Sequence, residues 1–81
     1  MRPITVRFFA AAADAAGTSE TTLEIPENAQ LAEALDLLEQ RFPSLASIHP
    51  HCTVFINDAH TENQDLSDAR TMDILPPFAG G

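Results

Sequence analysis

The residue types best suited to chemistry in this 81-residue chain sit in its last six positions, Pro76-Pro77-Phe78-Ala79-Gly80-Gly81. Glycine has no Cβ, so Gly80 and Gly81 can enter a channel too narrow for any other residue. The proline pair favours an extended, polyproline-like approach and lowers the entropy lost when such a segment is ordered in a partner. An α-carboxylate on Gly81, with a pKa of about 3.5, is ionised at neutral pH. It can attack the α-phosphate of ATP to form an acyl-adenylate, which a sulfur or amine nucleophile then captures. Loose glycine-rich ends are common. A stiff lead-in followed by two bare residues is not, and it points to delivery of the carboxylate.

Other candidate groups are weaker. His49, His51 and Cys52 form the run "HPHC", with only His60 as a distant fourth ligand. Zinc sites usually close with separated pairs of ligands, so no metal site is expected. Cys52 reads as a small, half-buried strand residue rather than a nucleophile, because a neighbouring histidine alone gives little activation. Glu33, Asp36 and Glu39 fall on the polar side of a helix and read as a solvated face.

The elements that must position the tail follow from pattern. Residues 4–9, "ITVRFF", are β-branched and aromatic and predict a strand. "AAADAAG" predicts a helical turn stopped by Gly17. Residues 20–25, "ETTLEI", alternate and predict a second strand paired with the first as a hairpin. Leu31, Leu35, Leu38 and Phe42, widened by Ala34 and Leu37, recur at helical spacing, with Asn28 as N-cap and Pro43 as the stop. "CTVFIN", residues 52–57, predicts a third strand ending in an Asn57-Asp58 turn, and "TMDIL", residues 71–75, a last one. A short strand between these two is expected, without a defined place in the sheet. Neither Pro76 nor Pro77 can donate to a ladder, so pairing ends there. Two strands, one long helix, then further strands give an α+β order in which the helix covers one sheet face. The last strand can then lie parallel to the first. That is the β-grasp, or ubiquitin-like, fold: one domain over residues 1–81, with 76–81 as a protruding tail.

Alternation sets Ile4, Val6, Phe8, Met72 and Ile74 toward the helix. If the first and last strands are neighbours, Arg7 lies near Asp73 on the opposite face, and Phe9 near Leu75. Phe9, Leu75 and Phe78, with Arg7 and the tail residues Pro76, Pro77 and Ala79, are the candidate partner-binding surface.

Bulk properties narrow the partners. A net charge of −8 with Lys+Arg of only 4 argues against nucleic acid and against an anionic membrane, and favours a partner with a basic or mixed-charge face. One cysteine cannot make an internal disulfide, which suggests a reducing, cytoplasmic setting. The N-terminal apolar run is interrupted by Arg7 and Asp14, so a leader peptide is not expected.

The chain resembles the small subunit of molybdopterin synthase (MoaD-type) within the ubiquitin-like sulfur carriers. The resemblance rests on "VRFFA", Gly17, the helix ending "RFP", "FIN", a Leu-Ser-Asp lead into the last strand, and "LPPFAGG". It implies a cycle in which an E1-like adenylating enzyme uses ATP and Mg²⁺ to activate Gly81. A sulfur donor system then converts it to a thiocarboxylate. The tail next enters the large synthase subunit, in a hetero-tetramer, where its sulfur builds a dithiolene on a pterin precursor. In this cycle Gly81 carries the sulfur, Gly80 gives access, and the chain itself holds no permanent cofactor or metal and no catalytic acid or base. Family members often carry Gly-Asp-Glu where this chain has Ala69-Arg70-Thr71, which would strain Ala69 if that turn needs a positive φ.

The resemblance also leaves alternatives: a carrier for a thiamine- or cysteine-type pathway, a protein modifier conjugated through Gly81, or a plain β-grasp interaction module. All four Lys/Arg-type cations are arginines. Amines attack activated acyl groups whereas arginine stays protonated, so a lysine-free surface would limit self-conjugation.

Overall fold

The computed structural model describes residues 1–47, 52–60 and 65–76. In chain order these form β1 (Arg2–Phe8), α1 (Ala11–Ala16), β2 (Glu20–Ile25), α2 (Leu31–Arg41), a 3₁₀ turn (Pro43–Ser47), β3 (Thr53–Ile56), β4 (Ala59–His60) and β5 (Thr71–Leu75). The strands make one five-stranded sheet in the order β2-β1-β5-β3-β4. β1 pairs with β5 in parallel, and the remaining neighbours are antiparallel. β5 is therefore the central strand, and the expected β-grasp arrangement is what the chain adopts. The short strand whose place the sequence left open is β4, at the sheet edge.

Period-two alternation builds the core. Ile4, Val6 and Phe8 from β1, Leu23 and Ile25 from β2, and Met72 and Ile74 from β5 are all buried on one face. α2 covers that face with Ala34 and Leu38 fully buried, while Leu31, Leu35, Leu37 and Phe42 pack half-buried around them. Phe42 meets Phe8 edge-to-face, with ring centroids 5.6 Å apart. The 3₁₀ turn, which periodicity did not suggest, packs against α1 and α2 and buries Leu45. Leu66 and Ala69, in the connection before β5, complete the core.

Helix α2 begins later than the sequence suggests. The N-cap is Gln30, extended at φ −107° and ψ 165°, and not Asn28. Ala29 donates to the Pro26 carbonyl at 3.0 Å, closing a turn around Asn28. The buried Ala29 also accepts from the Leu66 N–H at 3.1 Å. These two bonds commit the backbone before the helix can start. Glu33 then accepts the Gln30 N–H at 3.3 Å, one half of a capping box. At the other end Phe42 is the C-cap, as Pro43 demands.

Candidate functional site

The tail must leave from the end of β5, so the site is built from what surrounds that end. Register places Arg7 beside Asp73 and Phe8 beside Ile74 across the parallel pair, and Thr53 beside Leu75 across the antiparallel one. The Phe9 N–H extends the first ladder by one bond, to the Ile74 carbonyl at 3.2 Å. The paired register itself ends at Phe8 and Ile74, one residue short of Phe9 and Leu75. The expected pairing of Arg7 with Asp73 is present, while for Phe9 the structure shows the backbone bond to Ile74 at the end of the ladder.

Phe9 is 42% exposed, one of two large apolar residues so exposed among those described. Leu75 and Phe55 are half-buried. Pro76 is buried in the isolated chain, so its ring packs at the root of the tail instead of offering free surface. Pro77, Phe78, Ala79, Gly80 and Gly81 lie outside the described residues, as do His49 and His51.

Next to this apolar group the open face carries an ion cluster. The Arg7 guanidinium donates through Nε to Asp73 Oδ1 at 2.5 Å and through Nη2 to Oδ2 at 2.8 Å. Nη2 also donates to Asp58, in the tight β3–β4 turn. Asp73 is 6% exposed, the one buried charged residue among those described. A carboxylate so placed needs a partner, and a forked arginine supplies two parallel charge-assisted bonds. The bonds to Asp73, and then to Asp58, raise the Arg7 pKa further above its already high value. Arg7 thus ties β1, β5 and the β3–β4 turn together. The sequence offered Arg7 and Asp73 as neighbours but treated Asp58 only as a turn residue. Its part depends on sheet order, which no local pattern encodes.

Backbone geometry on both flanks is set by special turns. Asn57 and Asp58 take positive φ values of 53° and 67°, the two-residue turn that Asn and Asp tolerate best. The Asn57 side chain accepts from the Arg70 and Thr71 N–H groups at 2.7 and 3.2 Å and donates to the Asp68 carbonyl at 3.0 Å. Arg2 adds a second latch, donating to the Leu66 carbonyl and, at 2.5 Å, to that of Ala69. Ala69 is buried and is not among the positive-φ residues, so the Ala69-Arg70-Thr71 departure costs no strain there. Strain sits instead at Ala10, with φ 50° and ψ −125°, directly after Phe9.

Cys52, just before β3, is half-buried, and desolvation raises its thiol pKa. Among the described residues no group of three or more His, Cys, Asp or Glu could hold a metal ion, and no helix is long and apolar enough to cross a membrane.

Comparison with known proteins agrees with this geometry. The sequence model of the ThiS family matches residues 6–81. The molybdopterin synthase sulfur carrier subunit of Drosophila melanogaster is 30% identical over 80 residues, covering 94% of this chain and 88% of that protein. The solution structure of small archaeal modifier protein 1 from Methanosarcina acetivorans superposes with a TM-score of 0.80 at 26% identity, over 100% of this chain and 98% of that one. A chain from the complex of subunits 1 and 2 of the molybdopterin-converting factor of Helicobacter pylori gives 0.67 at 23% identity, over 99% and 100%. With a sheet centred on the strand that leads to Gly81, and a family match reaching that residue, the chain belongs to the ThiS family of ubiquitin-like sulfur carriers.

Proposed function

We propose that this carrier is the sulfur-donating small subunit of a molybdopterin synthase. The observation that carries the reading is the central position of β5. β1 sets its register from Thr71 to Ile74, and β3 sets it from Met72 to Leu75. A tail rooted there leaves from the central strand of the sheet, beside an exposed apolar group.

In the proposed cycle the Gly81 carboxylate attacks the α-phosphate of ATP on an E1-like enzyme, and pyrophosphate leaves. Hydrosulfide from the donor system attacks the acyl carbon, AMP leaves with its electron pair, the thiol proton is lost to solvent, and a thiocarboxylate results. The carrier then docks on the large subunit through Phe9, Leu75 and the tail, and gives up its sulfur to a pterin precursor. Similarity to the Drosophila sulfur carrier subunit supports this reading. The two-subunit Helicobacter complex supports a large-subunit partner. Gly80 and Gly81 supply slenderness and the acyl group, while the adenylating enzyme supplies ATP and Mg²⁺.

The test is incubation with a cognate adenylating enzyme, ATP, Mg²⁺ and a sulfur donor, followed by thiol-directed alkylation and peptide fragmentation. The expected label is on Gly81. A label on Cys52 alone refutes the carrier reading.

A second reading, conjugation to other proteins, is favoured by the similarity to the archaeal modifier protein. It predicts amide-linked adducts through Gly81 when activation is carried out with lysine-bearing proteins present.

A further inference from the structure

On the reading that the open sheet face receives the large subunit, we propose that Arg7 is the specificity residue of that face. It demands a neutral acceptor oxygen, a backbone carbonyl or a side-chain amide, from the docking protein.

The argument starts from donor accounting. A guanidinium has five N–H donors in a rigid plane. Nε uses one on Asp73, and Nη2 uses one on Asp73 and one on Asp58. Among the described residues nothing accepts from Nη1, and the side chain keeps 35% of its surface exposed. Both Nη1 donors are therefore left without a protein acceptor among the described residues. They lie two residues from exposed Phe9 and beside β5, the strand that leads to the tail. A protein gripping the apolar group while taking the tail must cover them. Covered donors left without an acceptor disfavour binding, so a partner that supplies one is selected over a partner that does not.

Charge decides which acceptor. Arg7 already has Asp73 and Asp58 bonded to it, and register sets exposed Glu20 opposite it on β2. Two carboxylates bonded to one guanidinium already leave the patch negative, and Glu20 on the neighbouring strand adds to that charge. A further carboxylate from the partner would meet net repulsion, whereas a neutral oxygen satisfies the donors without it. The same excess favours basic groups at the partner's rim, consistent with a chain of net charge −8.

The experiment measures binding of the intact carrier to the purified large subunit by calorimetry, with sulfur-transfer kinetics alongside. Because Asp73 would be stranded by loss of Arg7 alone, the variant is the pair Arg7→Leu with Asp73→Ala, its folding checked by circular dichroism. The expected result is binding weakened roughly ten-fold, with KM for the carrier raised to match and kcat at saturation unchanged. The ratio between wild type and variant should hold between about 50 and 500 mM salt, because a neutral acceptor is little screened. A ratio that collapses with salt overturns the neutral acceptor. A folded pair variant that binds like wild type overturns the role of Arg7 while leaving the sulfur-carrier reading intact. Self-association of the wild-type chain that is lost in the variant would make a second copy the occupant and overturn the assignment. A Gly81 thiocarboxylate that forms normally without any binding to the large subunit would overturn the docking reading and this inference together.

Discussion

Replacing Ala10 with glycine should stabilise the protein, although it removes a methyl group and adds chain freedom. Ala10 sits at φ 50° and ψ −125°, in a region that L-residues rarely adopt. It does so because the chain must reverse between β1 and α1 in one step, and the Phe9 carbonyl accepts the Ala12 N–H at 3.0 Å to close that turn. An alanine held there stores about 1–2 kcal/mol of steric strain. Glycine removes the strain but gains unfolded-state freedom, at a cost of about 0.5–1 kcal/mol. Ala10 is exposed, so no core packing is lost. It is also the N-cap of α1, where glycine is preferred over alanine. The net gain is about 1 kcal/mol, or a rise in Tm of about 4–8 °C for a domain of this size. Urea and thermal unfolding followed by circular dichroism would measure it, with an unchanged m value showing that only stability moved. Ala11→Gly, one residue later inside the helix, is the control and should lose about 0.5–1 kcal/mol. An Ala10→Gly protein no more stable than wild type would refute the strain argument.

Three further outcomes follow from the same geometry. Gly17 has φ 76°, and the place a side-chain methyl would occupy has nothing within 4 Å of it. Gly17→Ala should therefore cost about 1 kcal/mol from backbone strain alone, read from urea unfolding. Asn57→Gly keeps the positive-φ turn but deletes the side-chain bonds to residues 68, 70 and 71. Hydrogen exchange at Arg70 and Thr71 should then accelerate while the β1–β2 amides stay protected. Burial raises the Cys52 thiol pKa, so at neutral pH its thiolate fraction falls below that of a small reference thiol. Alkylation of Cys52 should lag at pH 7 and catch up as the pH rises, leaving a Gly81 thiocarboxylate the faster target in mildly acidic buffer; equal rates at pH 7 would contradict the burial argument.

How much of this was legible in the sequence varied with the physics involved. β2 and β5 were readable to the residue, because period-two alternation ends at Pro26 and Pro76. The neighbouring of Arg7 and Asp73 was readable as well, given a crossover that makes β1 and β5 parallel. The start of α2 was not, because a turn closed by Ala29 and Pro26 and a long-range bond from Leu66 overrode the better capping residue at Asn28. Ala10 was unreadable for a similar reason: a residue type says little about a strained conformation imposed by both neighbours. The 3₁₀ turn carries one buried leucine, too little for a periodic signal. Asp58 joined the ion cluster through a contact 51 positions away from Arg7 in sequence, a distance that local pattern cannot span.

The placement of aromatic residues argues that the open face is meant to be covered. A chain this short buries a modest share of its surface and can ill spare aromatic bulk from its core. It has five phenylalanines and no tryptophan or tyrosine. Phe8 and Phe42 pack against each other under the sheet. Phe9 is turned out at 42% exposure, and Phe55, level with Asp73 across β3 and β5, lies on the same open face. Stability alone would favour moving that bulk inward or replacing it with polar residues. An apolar rim around a fixed ion cluster, beside the strand that leads to Gly81, fits a surface exposed in the isolated carrier and covered in its working complex. If so, Phe9→Ser should leave unfolding nearly unchanged and weaken large-subunit binding by roughly ten-fold or more. The reverse pattern, lost stability with binding intact, would mean that Phe9 serves the fold and that the docking face lies elsewhere.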